Sequence, residues 1–321
     1  MKAIIQRDLY TRSQDVFDQS DIEFIIRDLS ETDQMLADAE RTGARCFIIG
    51  AEEYPASFYQ NMKSDSMVVR YGVGYNHVPV EVCRERGICV SYTPGTLDQS
   101  VAEHSVGLIL ACARKIAFRH TEMKNREWKQ ESGMELSGKT CAIIGFGNIG
   151  RKTARILKSG FDMRIHAFDI IPGLNDKYPE LIDLYSTDFE EAVRDADVVS
   201  IHMAAVPATE NFFNKERLAM LKFGSSLVNT ARGSLVDEDA LYQAVAKGRP
   251  EIAAIDVFKN EPYTPSGKYN LAESGSIILT PHIGSNTRAS NQRMAELCVK
   301  NTVHFLNNRM DDVLIIPELG S

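Results

Sequence analysis

Short apolar runs alternate with longer, charge-rich stretches along most of the chain. In the first hundred residues the runs are KAIIQ, IEFIIRD, RCFIIG, MVVRYG and ICVSY, and they are rich in β-branched residues. Continuous apolar strands separated by helical intervals are typical of a parallel sheet that helices cover on both faces. The pattern therefore predicts a small α/β unit at the start of the chain.

A second set of strand-like runs begins at Thr140 and ends near Gly284. These runs are TCAIIGFG, MRIHAFD, DVVSIHM, SSLVNTA, EIAAIDVF and SIILTPHIG. They predict a second, larger parallel sheet that is doubly wound, because helical intervals again separate the strands. The expected fold class is therefore α/β, with two doubly wound parallel-sheet domains.

Two further stretches have apolar residues at helical spacing. The first covers residues 98–128 and is long enough to form a helix that connects one domain to the next. The second covers residues 289–310. If this closing helix returns to the first unit, that domain is discontinuous in sequence.

Composition and charge narrow the classes of function. The chain has 321 residues, enough for two ordinary domains, and its hydrophobic fraction of 44% is typical of globular proteins. A formal net charge of -8, with no Lys/Arg-rich arm, argues against nucleic acid as a partner.

The chain also lacks the signals of a membrane or secreted protein. No apolar run approaches the roughly 18 residues of a membrane helix, and MKAIIQRDLY lacks the apolar core of a signal peptide. We therefore expect a cytoplasmic protein without a membrane partner. The six cysteines form no C-x-x-C pair and no zinc-finger spacing, so we expect free thiols and no metal site.

The strongest local motif is CAIIGFGNIGRKTARIL, in which Gly145, Gly147 and Gly150 have G-x-G-x-x-G spacing between a predicted strand and a predicted helix. Gly145 permits the tight turn, Gly147 lets the backbone approach a pyrophosphate, and Gly150 allows the helix to pack closely on the strand. Backbone amides at the helix start then face the phosphates. The context predicts a dinucleotide site, although a structural glycine turn is the alternative.

Asp169 indicates whether the dinucleotide is NAD or NADP. It ends the run MRIHAFD at the distance, roughly 20 residues on, where a carboxylate accepts hydrogen bonds from the adenosine ribose. Such a carboxylate repels a 2′-phosphate, and Ile170, Ile171 and Pro172 supply no arginine to bind one. The sequence therefore predicts NAD rather than NADP.

Polar residues with chemical capability follow three of the later strands. They are Arg232 after SSLVNTA, Asp256 and Glu261 after EIAAI, and His282 after SIILTP. In a doubly wound sheet, ligands bind outside the carboxyl ends of the strands. These side chains are therefore candidates for one site.

Hydride transfer to a carbonyl group needs chemistry that these residues supply. His282 can exchange a proton near neutral pH, and a carboxylate such as Glu261 fixes the orientation of a histidine. The guanidinium of Arg232 can bind both a carboxylate and the adjacent carbonyl oxygen. Taken singly, the three would suit a structural histidine, a surface charge and a solvated turn residue; together they predict a hydride-transfer site.

The motifs GFGNIG, NTARGSLVDEDAL, AIDVFKNEP and TPHIGSNT, with YGVGYNHV and SVAEH, resemble those of the D-isomer-specific 2-hydroxyacid dehydrogenases. The resemblance covers the chain from about Val69 to Thr287. It implies a Rossmann NAD-binding domain, residues 100–285, inserted into a flavodoxin-like substrate domain, residues 1–99 and 286–321. It also implies a homodimer formed through the long helical region, and hydride transfer between NADH and a small 2-oxo or D-2-hydroxy acid.

The resemblance also implies a role for individual residues. Arg232 would bind the substrate carboxylate and carbonyl, His282 would be the acid/base, and Glu261 would be its partner. The backbone amides of Val73 and Gly74 would hold the substrate carboxylate, with Thr230 and Asp256 against the nicotinamide. The other expected cofactor contacts are Asn148, Ile149, His202, Thr209, Ala231 and Gly284.

The chain departs from the family pattern in two places. Members commonly carry H-x-P-x-T after the strand that reads DVVSIH, where this chain has Ala204 and Val206 in place of the proline and the threonine. The loop beside His202 is therefore expected to have an altered shape. YGVGYNHV also carries His77, as formate dehydrogenases do, but those relatives lack the glutamate partner, so Glu261 favours a hydroxyacid substrate.

The identity of the substrate stays open at this point. The ending TPHIGSNT resembles phosphoglycerate dehydrogenases and glyoxylate/hydroxypyruvate reductases more than D-lactate enzymes. Arg70 is a candidate to bind a distal phosphate or second carboxylate of the substrate, and its alternative is a salt-bridged surface arginine. Some relatives act as NAD(H)-sensing corepressors, and the complete set of Arg232, Glu261 and His282 favours an enzyme over such a binding protein.

Overall fold

The computed structural model of the chain describes residues 1–319 and contains two compact units. The first unit comprises Met1–Leu97 and the chain from Asn286 onward, and the second comprises Asp98–Ser285. The sequence predicted a discontinuous domain, residues 1–99 and 286–321, and an inserted domain, residues 100–285. That these parts are domains able to fold independently stays a prediction, since a compact unit need not fold alone. Gly320 and Ser321 of the predicted second segment lie outside the described residues.

The first unit is built on a sheet of five parallel strands. The strands are β1 (Lys2–Gln6), β2 (Glu23–Arg27), β3 (Cys46–Ile49), β4 (Met67–Arg70) and β5 (Cys89–Ser91), in the order β2-β1-β3-β4-β5. This order is that of flavodoxin-like domains. Each of the five runs predicted from the first hundred residues forms one of these strands.

Five helices of the first unit precede residue 98. They are α1 (Arg7–Arg12), α2 (Gln14–Asp18), α3 (Thr32–Thr42), α4 (Ala56–Gln60) and α5 (Val80–Arg86). Side chains of β1, β3, β4 and β5 form one buried core with α4, and this core includes Ile4, Phe47, Phe58, Val68 and Val90.

The second unit is built on seven parallel strands. They are β6 (Thr140–Ile144), β7 (Arg164–Phe168), β8 (Leu184–Ser186), β9 (Val198–Ile201), β10 (Ser226–Asn229), β11 (Ile252–Ile255) and β12 (Ile277–Leu279), in the order β12-β11-β10-β9-β6-β7-β8. This is the Rossmann order with one strand added at an edge. The expected fold class is therefore confirmed, and only β8 was missed among the strands, because it is a three-residue, half-buried edge strand.

Two helices of the second unit precede β6, and five more lie between its strands. They are α6 (Asp98–Ala113), α7 (Ile116–Lys124), α8 (Asn148–Phe161), α9 (Leu174–Lys177), α10 (Phe189–Val193), α11 (Lys215–Met220) and α12 (Glu238–Val245). Asp188, Asn214 and Asp237 begin the last three, because each side chain accepts hydrogen bonds from backbone N–H groups of the first turn.

The last long helix, α13 (Arg288–Leu306), belongs to the first unit. It begins after Thr287, whose Oγ1 accepts a hydrogen bond from the Ser290 N–H at 3.1 Å. The predicted helix over 289–310 therefore exists but ends four residues early. Short 3-10 helices cover Leu29–Glu31, Pro207–Thr209, Gly233–Leu235, Leu271–Glu273, Met310–Asp312 and Pro317–Leu319.

The predicted helical stretch over 98–128 is divided into α6 and α7. Lys115 has a left-handed backbone, with φ of 53°, which ends the first helix. Its ammonium group lies 3.5 Å from Glu131 and 3.3 Å from Glu251, so two carboxylates hold the chain at this break. The sequence did not predict this break, because the spacing of the apolar residues is helical on both sides of it.

Alternate side chains of β6 lie in two different cores. Ala142 and Ile144 pack in one buried cluster, and Cys141 and Ile143 pack in the other. Because helices cover both faces of the sheet, each position of the strand is apolar. Of the helices described in residues 1–319, none is both long enough and apolar enough to cross a membrane.

Candidate active site

The glycine turn after β6 is shaped by the close approach of backbone. Gly145 has φ of 95°, and a Cβ there would lie 2.5 Å from the backbone nitrogen of Met203. A Cβ on Gly150 would lie 2.2 Å from the carbonyl oxygen of Gly145. Both positions therefore need glycine for the fold itself, as the sequence predicted.

Gly147 differs, because a Cβ at this position would meet no described atom within 4 Å. It is the residue before α8, and no side chain caps that helix. The first amides of α8, from Asn148 and Ile149, stand at the positive end of the helix dipole. The open space in front of Gly147 and these amides fits the close approach of a pyrophosphate.

Asp169 directly follows β7 and is tied to the glycine turn. Its Oδ2 accepts a hydrogen bond from the Phe146 N–H at 2.8 Å, and its Oδ1 accepts one from the Ile171 N–H at 3.1 Å. Each carboxylate oxygen keeps a lone pair that can accept from a ribose hydroxyl. The neighbouring Ile170 and Ile171 are exposed and carry no charge. The residues present fit an NAD site.

The altered loop after β9 is organised by Thr209. Its hydroxyl accepts a hydrogen bond from the Val206 N–H at 2.9 Å and lies 2.9 Å from the Ala204 carbonyl oxygen. Thr209 thus joins the two positions at which this chain departs from the family pattern. His202, just before the loop, places Nε2 2.9 Å from the Ser200 hydroxyl. Burial lowers the pKa of His202 to about 3, so its ring is neutral.

Asn229 fixes the segment that carries Arg232. The Asn229 Oδ1 accepts a hydrogen bond from the Ala231 N–H at 3.0 Å, and its Nδ2 donates one to the Arg232 carbonyl at 2.9 Å. The next residue, Gly233, packs so closely on the loop after β11 that a Cβ would lie 1.9 Å from the Phe258 carbonyl carbon. Burial lowers the pKa of Arg232 and the Glu261 charge opposes this. Arginine stays a cation throughout the physiological range.

His282 and Glu261 form a direct hydrogen bond. The Nδ1 atom of His282 lies 2.6 Å from Oε2 of Glu261, while Oε1 of the same carboxylate accepts from the Phe258 N–H at 2.9 Å. Burial by itself raises the pKa of Glu261, but the hydrogen bond from His282 and the nearby charges outweigh it and lower the pKa. Since Nδ1 faces this carboxylate, Nε2 is the nitrogen left to exchange a proton with another molecule. The side chain of His282 is 33% exposed.

The backbone of His282 has φ of 50°, a left-handed conformation that is uncommon for a residue other than glycine. Its N–H donates to the Asp256 carbonyl oxygen at 2.8 Å. The Asp256 carboxylate, only 1% exposed, also accepts from the N–H groups of Ile283 and Gly284, at 3.0 and 2.9 Å. Asp256 therefore holds the turn that presents His282.

Two residues of α6 that sequence reasoning did not assign, His104 and Ser105, contact this region. The Ser105 hydroxyl donates to the Val101 carbonyl at 2.8 Å and lies 2.7 Å from the Thr230 hydroxyl. Since serine has one hydroxyl proton, Thr230 donates to Ser105 and keeps its own lone pairs available as acceptors. The available sequence signal was position alone: His104 is the last residue of the motif SVAEH, and Ser105 follows it directly.

The remaining expected residues belong to the first unit. Arg70 ends β4 and is 6% exposed, so its interpretation as a surface arginine is wrong. Its guanidinium donates to the Tyr71 carbonyl and lies beside Gly72. The amides of Val73 and Gly74, just beyond, donate no hydrogen bond to any other residue in the described part of the chain. They are therefore available to an anion.

Within residues 1–319, no group of three or more His, Cys, Asp or Glu side chains is arranged to hold a metal ion. The six cysteines are free thiols, and five of them are buried.

Comparison with known proteins identifies the family. The sequence profile of the NAD binding domain of the D-isomer specific 2-hydroxyacid dehydrogenases matches residues 106–284. A glyoxylate reductase of Thermofilum pendens is 37% identical over 259 residues, which cover 79% of this chain and 75% of that protein. A hydroxypyruvate reductase of Thermotoga maritima is 37% identical over 246 residues, which cover 76% and 78%.

Solved structures agree with this result. The TT0316 protein from Thermus thermophilus has a TM-score of 0.81 at 30% identity, over 98% of this chain and 100% of that one. The D-lactate dehydrogenase from Aquifex aeolicus, complexed with NAD and lactic acid, has a TM-score of 0.81 at 24% identity, over 99% of each chain, and shows the fold alone. None of these relatives supports a corepressor. The chain belongs to the D-isomer-specific 2-hydroxyacid dehydrogenase family and is an NAD-dependent oxidoreductase that transfers a hydride between NADH and a 2-oxo or D-2-hydroxy acid.

Proposed function

We propose that this dehydrogenase reduces a small 2-oxo acid of the glyoxylate or hydroxypyruvate type. Relatives with these two names are each 37% identical to the chain. The observation that carries the proposal for the site is the 2.6 Å hydrogen bond between His282 and Glu261, together with the half-buried Arg232, whose charge acts on Glu261.

The three side chains have distinct roles in the proposed mechanism. NADH, when bound, supplies the hydride for the carbonyl carbon of the substrate. His282 holds a proton at Nε2 and donates it to the carbonyl oxygen, while Glu261 keeps the imidazole in one orientation through Nδ1. Arg232 binds the substrate carboxylate and carbonyl oxygen and stabilises the negative charge that grows on that oxygen.

The first unit contributes further groups to substrate binding in this proposal. The free amides of Val73 and Gly74 donate to the substrate carboxylate. Arg70 lies behind Gly72 and adds positive charge beneath the same turn. A buried guanidinium that already donates to a carbonyl is poorly suited to follow a mobile distal phosphate, which favours the smaller 2-oxo acids.

The cofactor is held by two groups of residues in this proposal. The first group binds the pyrophosphate and ribose and consists of Gly145, Gly147, Asn148, Ile149, Gly150 and Asp169. The second group surrounds the nicotinamide end and the loop beside it, and consists of His202, Thr209, Thr230, Ala231, Asp256 and Gly284. The support is the open glycine turn and the lone pairs that Asp169 and Thr230 keep available.

We also propose that the enzyme is a homodimer and that the region of α7 forms its interface. Three large apolar side chains are exposed within a short stretch of the chain: Ile116, Met123 and Trp128, the last being 76% exposed. Exposed apolar side chains of this size are common where one chain contacts another.

The proposal also places the enzyme in the cytoplasm, because its free cysteines favour a reducing setting.

Substrate preference is tested by following NADH oxidation with glyoxylate, hydroxypyruvate, pyruvate, phosphohydroxypyruvate and branched 2-oxo acids. We expect the highest kcat/KM with glyoxylate or hydroxypyruvate. A higher kcat/KM with phosphohydroxypyruvate or a branched acid would contradict the proposed substrate class. Inactivity with every acid of this panel would contradict the proposed site chemistry as well.

A further inference from the structure

His104 of α6 faces the Asp256 carboxylate, and the sequence did not predict this contact. Its Nε2 atom lies 3.2 Å from Oδ1 of Asp256 and 3.3 Å from the Thr280 hydroxyl oxygen. The Thr280 hydroxyl lies 2.5 Å from the same Oδ1. Three side chains, from α6 and from the ends of β11 and β12, therefore meet at one buried oxygen atom.

The positions of the hydrogen atoms follow from these contacts. A carboxylate only accepts, so the single hydroxyl proton of Thr280 is donated to Asp256. The Thr280 oxygen is then an acceptor toward His104, as is the carboxylate. Since both atoms facing Nε2 of His104 are acceptors, Nε2 carries a hydrogen and donates it to them.

The Asp256 carboxylate thus has four donors, and the turn after β12 depends on them. Two are the backbone amides of Ile283 and Gly284, and the other two are Thr280 and His104. Burial by itself raises the pKa of Asp256, but the hydrogen bonds from His104, Thr280 and the two backbone amides outweigh it and lower the pKa. A buried carboxylate that loses a donor is destabilised and tends to move or take up a proton.

We infer that His104 is a positioning residue for hydride transfer: its Nε2–H fixes Asp256 and, through it, the turn that holds His282 in its left-handed conformation. The inference rests on the proposed role of His282. The His282 N–H donates to the carbonyl of Asp256 itself, 2.8 Å away. A displacement of Asp256 is therefore passed directly to the residue that transfers the proton.

The first test compares His104→Ala with His104→Gln, whose side-chain amide can replace the donor. With Ala we expect kcat to fall about 10–100-fold, the range for a displaced catalytic group, and the Kd of NADH to rise by a smaller factor, because the glycine turn and Asp169 are not touched. With Gln we expect kcat within about 5-fold of the wild type. An unchanged kcat in H104A would overturn the inference. So would an equal loss of kcat in H104A and H104Q when both variants are folded.

The second test asks whether His104 acts through Asp256. A double-mutant cycle combines H104A with Asp256→Asn, and coupled residues give non-additive effects. We expect H104A to cost less than about 3-fold in kcat when Asp256 is already replaced. If the two losses multiply, His104 acts by another route and the inference is wrong.

A third measurement separates this inference from the proposed function. The Nδ1–H signal of His282 is followed by ¹H–¹⁵N NMR of histidine-labelled, cofactor-free protein. We expect the signal to shift or broaden in H104A and to persist in H104Q. An unchanged signal in H104A overturns the inference even if the enzyme is active. A wild type that reduces no 2-oxo acid contradicts the proposed function, while the NMR result still decides the positioning role.

Discussion

The carboxylate of Asp169 accepts a hydrogen bond from the backbone amide of Phe146 at 2.8 Å, so the end of β7 is joined to the glycine turn after β6. The residue expected to select the cofactor therefore also supports the turn that would hold its pyrophosphate. A substitution that removes the charge while keeping one acceptor for the Phe146 N–H separates the two roles.

Asp169→Asn should narrow the preference for NADH over NADPH. The asparagine oxygen still accepts from Phe146, although the bond from the Ile171 N–H is lost, and the charge that repels a 2′-phosphate is removed. Fluorescence titration should show NADPH affinity rising about 10-fold relative to NADH affinity, an effect of about 1.4 kcal/mol. The matched variant Asp169→Ala should weaken both dinucleotides. Tighter binding of NADPH than NADH by the wild type would contradict the assignment of Asp169.

Gly147→Ala should weaken NADH binding without weakening the fold. The backbone at Gly147 has φ of -70°, and a Cβ there meets no described atom within 4 Å. The matched variant Gly145→Ala should lower the Tm, because φ is 95° and the Cβ would overlap Met203. We expect G147A to keep its Tm within about 2 °C and to raise the Kd of NADH at least about 10-fold. Wild-type affinity in G147A would show that no pyrophosphate approaches this residue.

Asp256→Asn should destabilise the protein at neutral pH and progressively less in acid. The pKa of Asp256 is lowered in the folded state, so the unfolded state binds more protons between the folded value and the unfolded value of about 3.9. The stabilisation is complete above that unfolded value and is lost as the pH falls through the folded one. At pH 7 we expect D256N to lose about 1.5–3 kcal/mol, as for hydrogen bonds to a charged group.

This prediction is checked by denaturant unfolding of wild type and D256N between pH 7 and the lowest pH at which both fold. The difference in the free energy of unfolding should shrink as the pH falls. A difference that grows in acid would mean that Asp256 is not ionised in the folded protein.

Trp128→Glu should dissociate the proposed homodimer. A charge in a buried apolar interface carries a large desolvation cost. Light scattering of the wild type should give twice the chain mass of 35.8 kDa, and W128E should give the monomer mass. Phe223→Glu is the matched control, since Phe223 is also exposed but lies outside the proposed interface. A monomeric wild type would contradict the proposal.

The sequence predicted what depends on regular patterns. Continuous apolar runs report parallel strands buried on both faces, and the order of motifs reports their family. The pairing of Glu261 with His282 was expected from chemistry, although 21 positions separate them in the chain. Edge strand β8 was not predicted because it is short and half-buried. The break at Lys115 was not predicted because a left-handed residue leaves the spacing of apolar residues unchanged.

Other features depend on tertiary contacts that no local pattern encodes. Arg70 is buried because it ends β4, an inner strand of the first sheet with a neighbour on each side. His104 and Ser105 look like ordinary residues of an apolar helix, and only the packing of α6 brings them to Asp256 and Thr230. In the loop after β9, the Thr209 hydroxyl contacts the backbone of residues 204 and 206, and the sequence pattern of the loop does not report these contacts.

The central claim is that His282 supplies the proton during reduction of the 2-oxo acid. The most direct measurement is kcat with glyoxylate or hydroxypyruvate for His282→Ala, together with the Kd of NADH. Loss of the proton donor should lower kcat about 10²–10⁴-fold and leave the Kd within about 3-fold of the wild-type value. A kcat equal to that of the wild type, with intact NADH binding, would contradict the account.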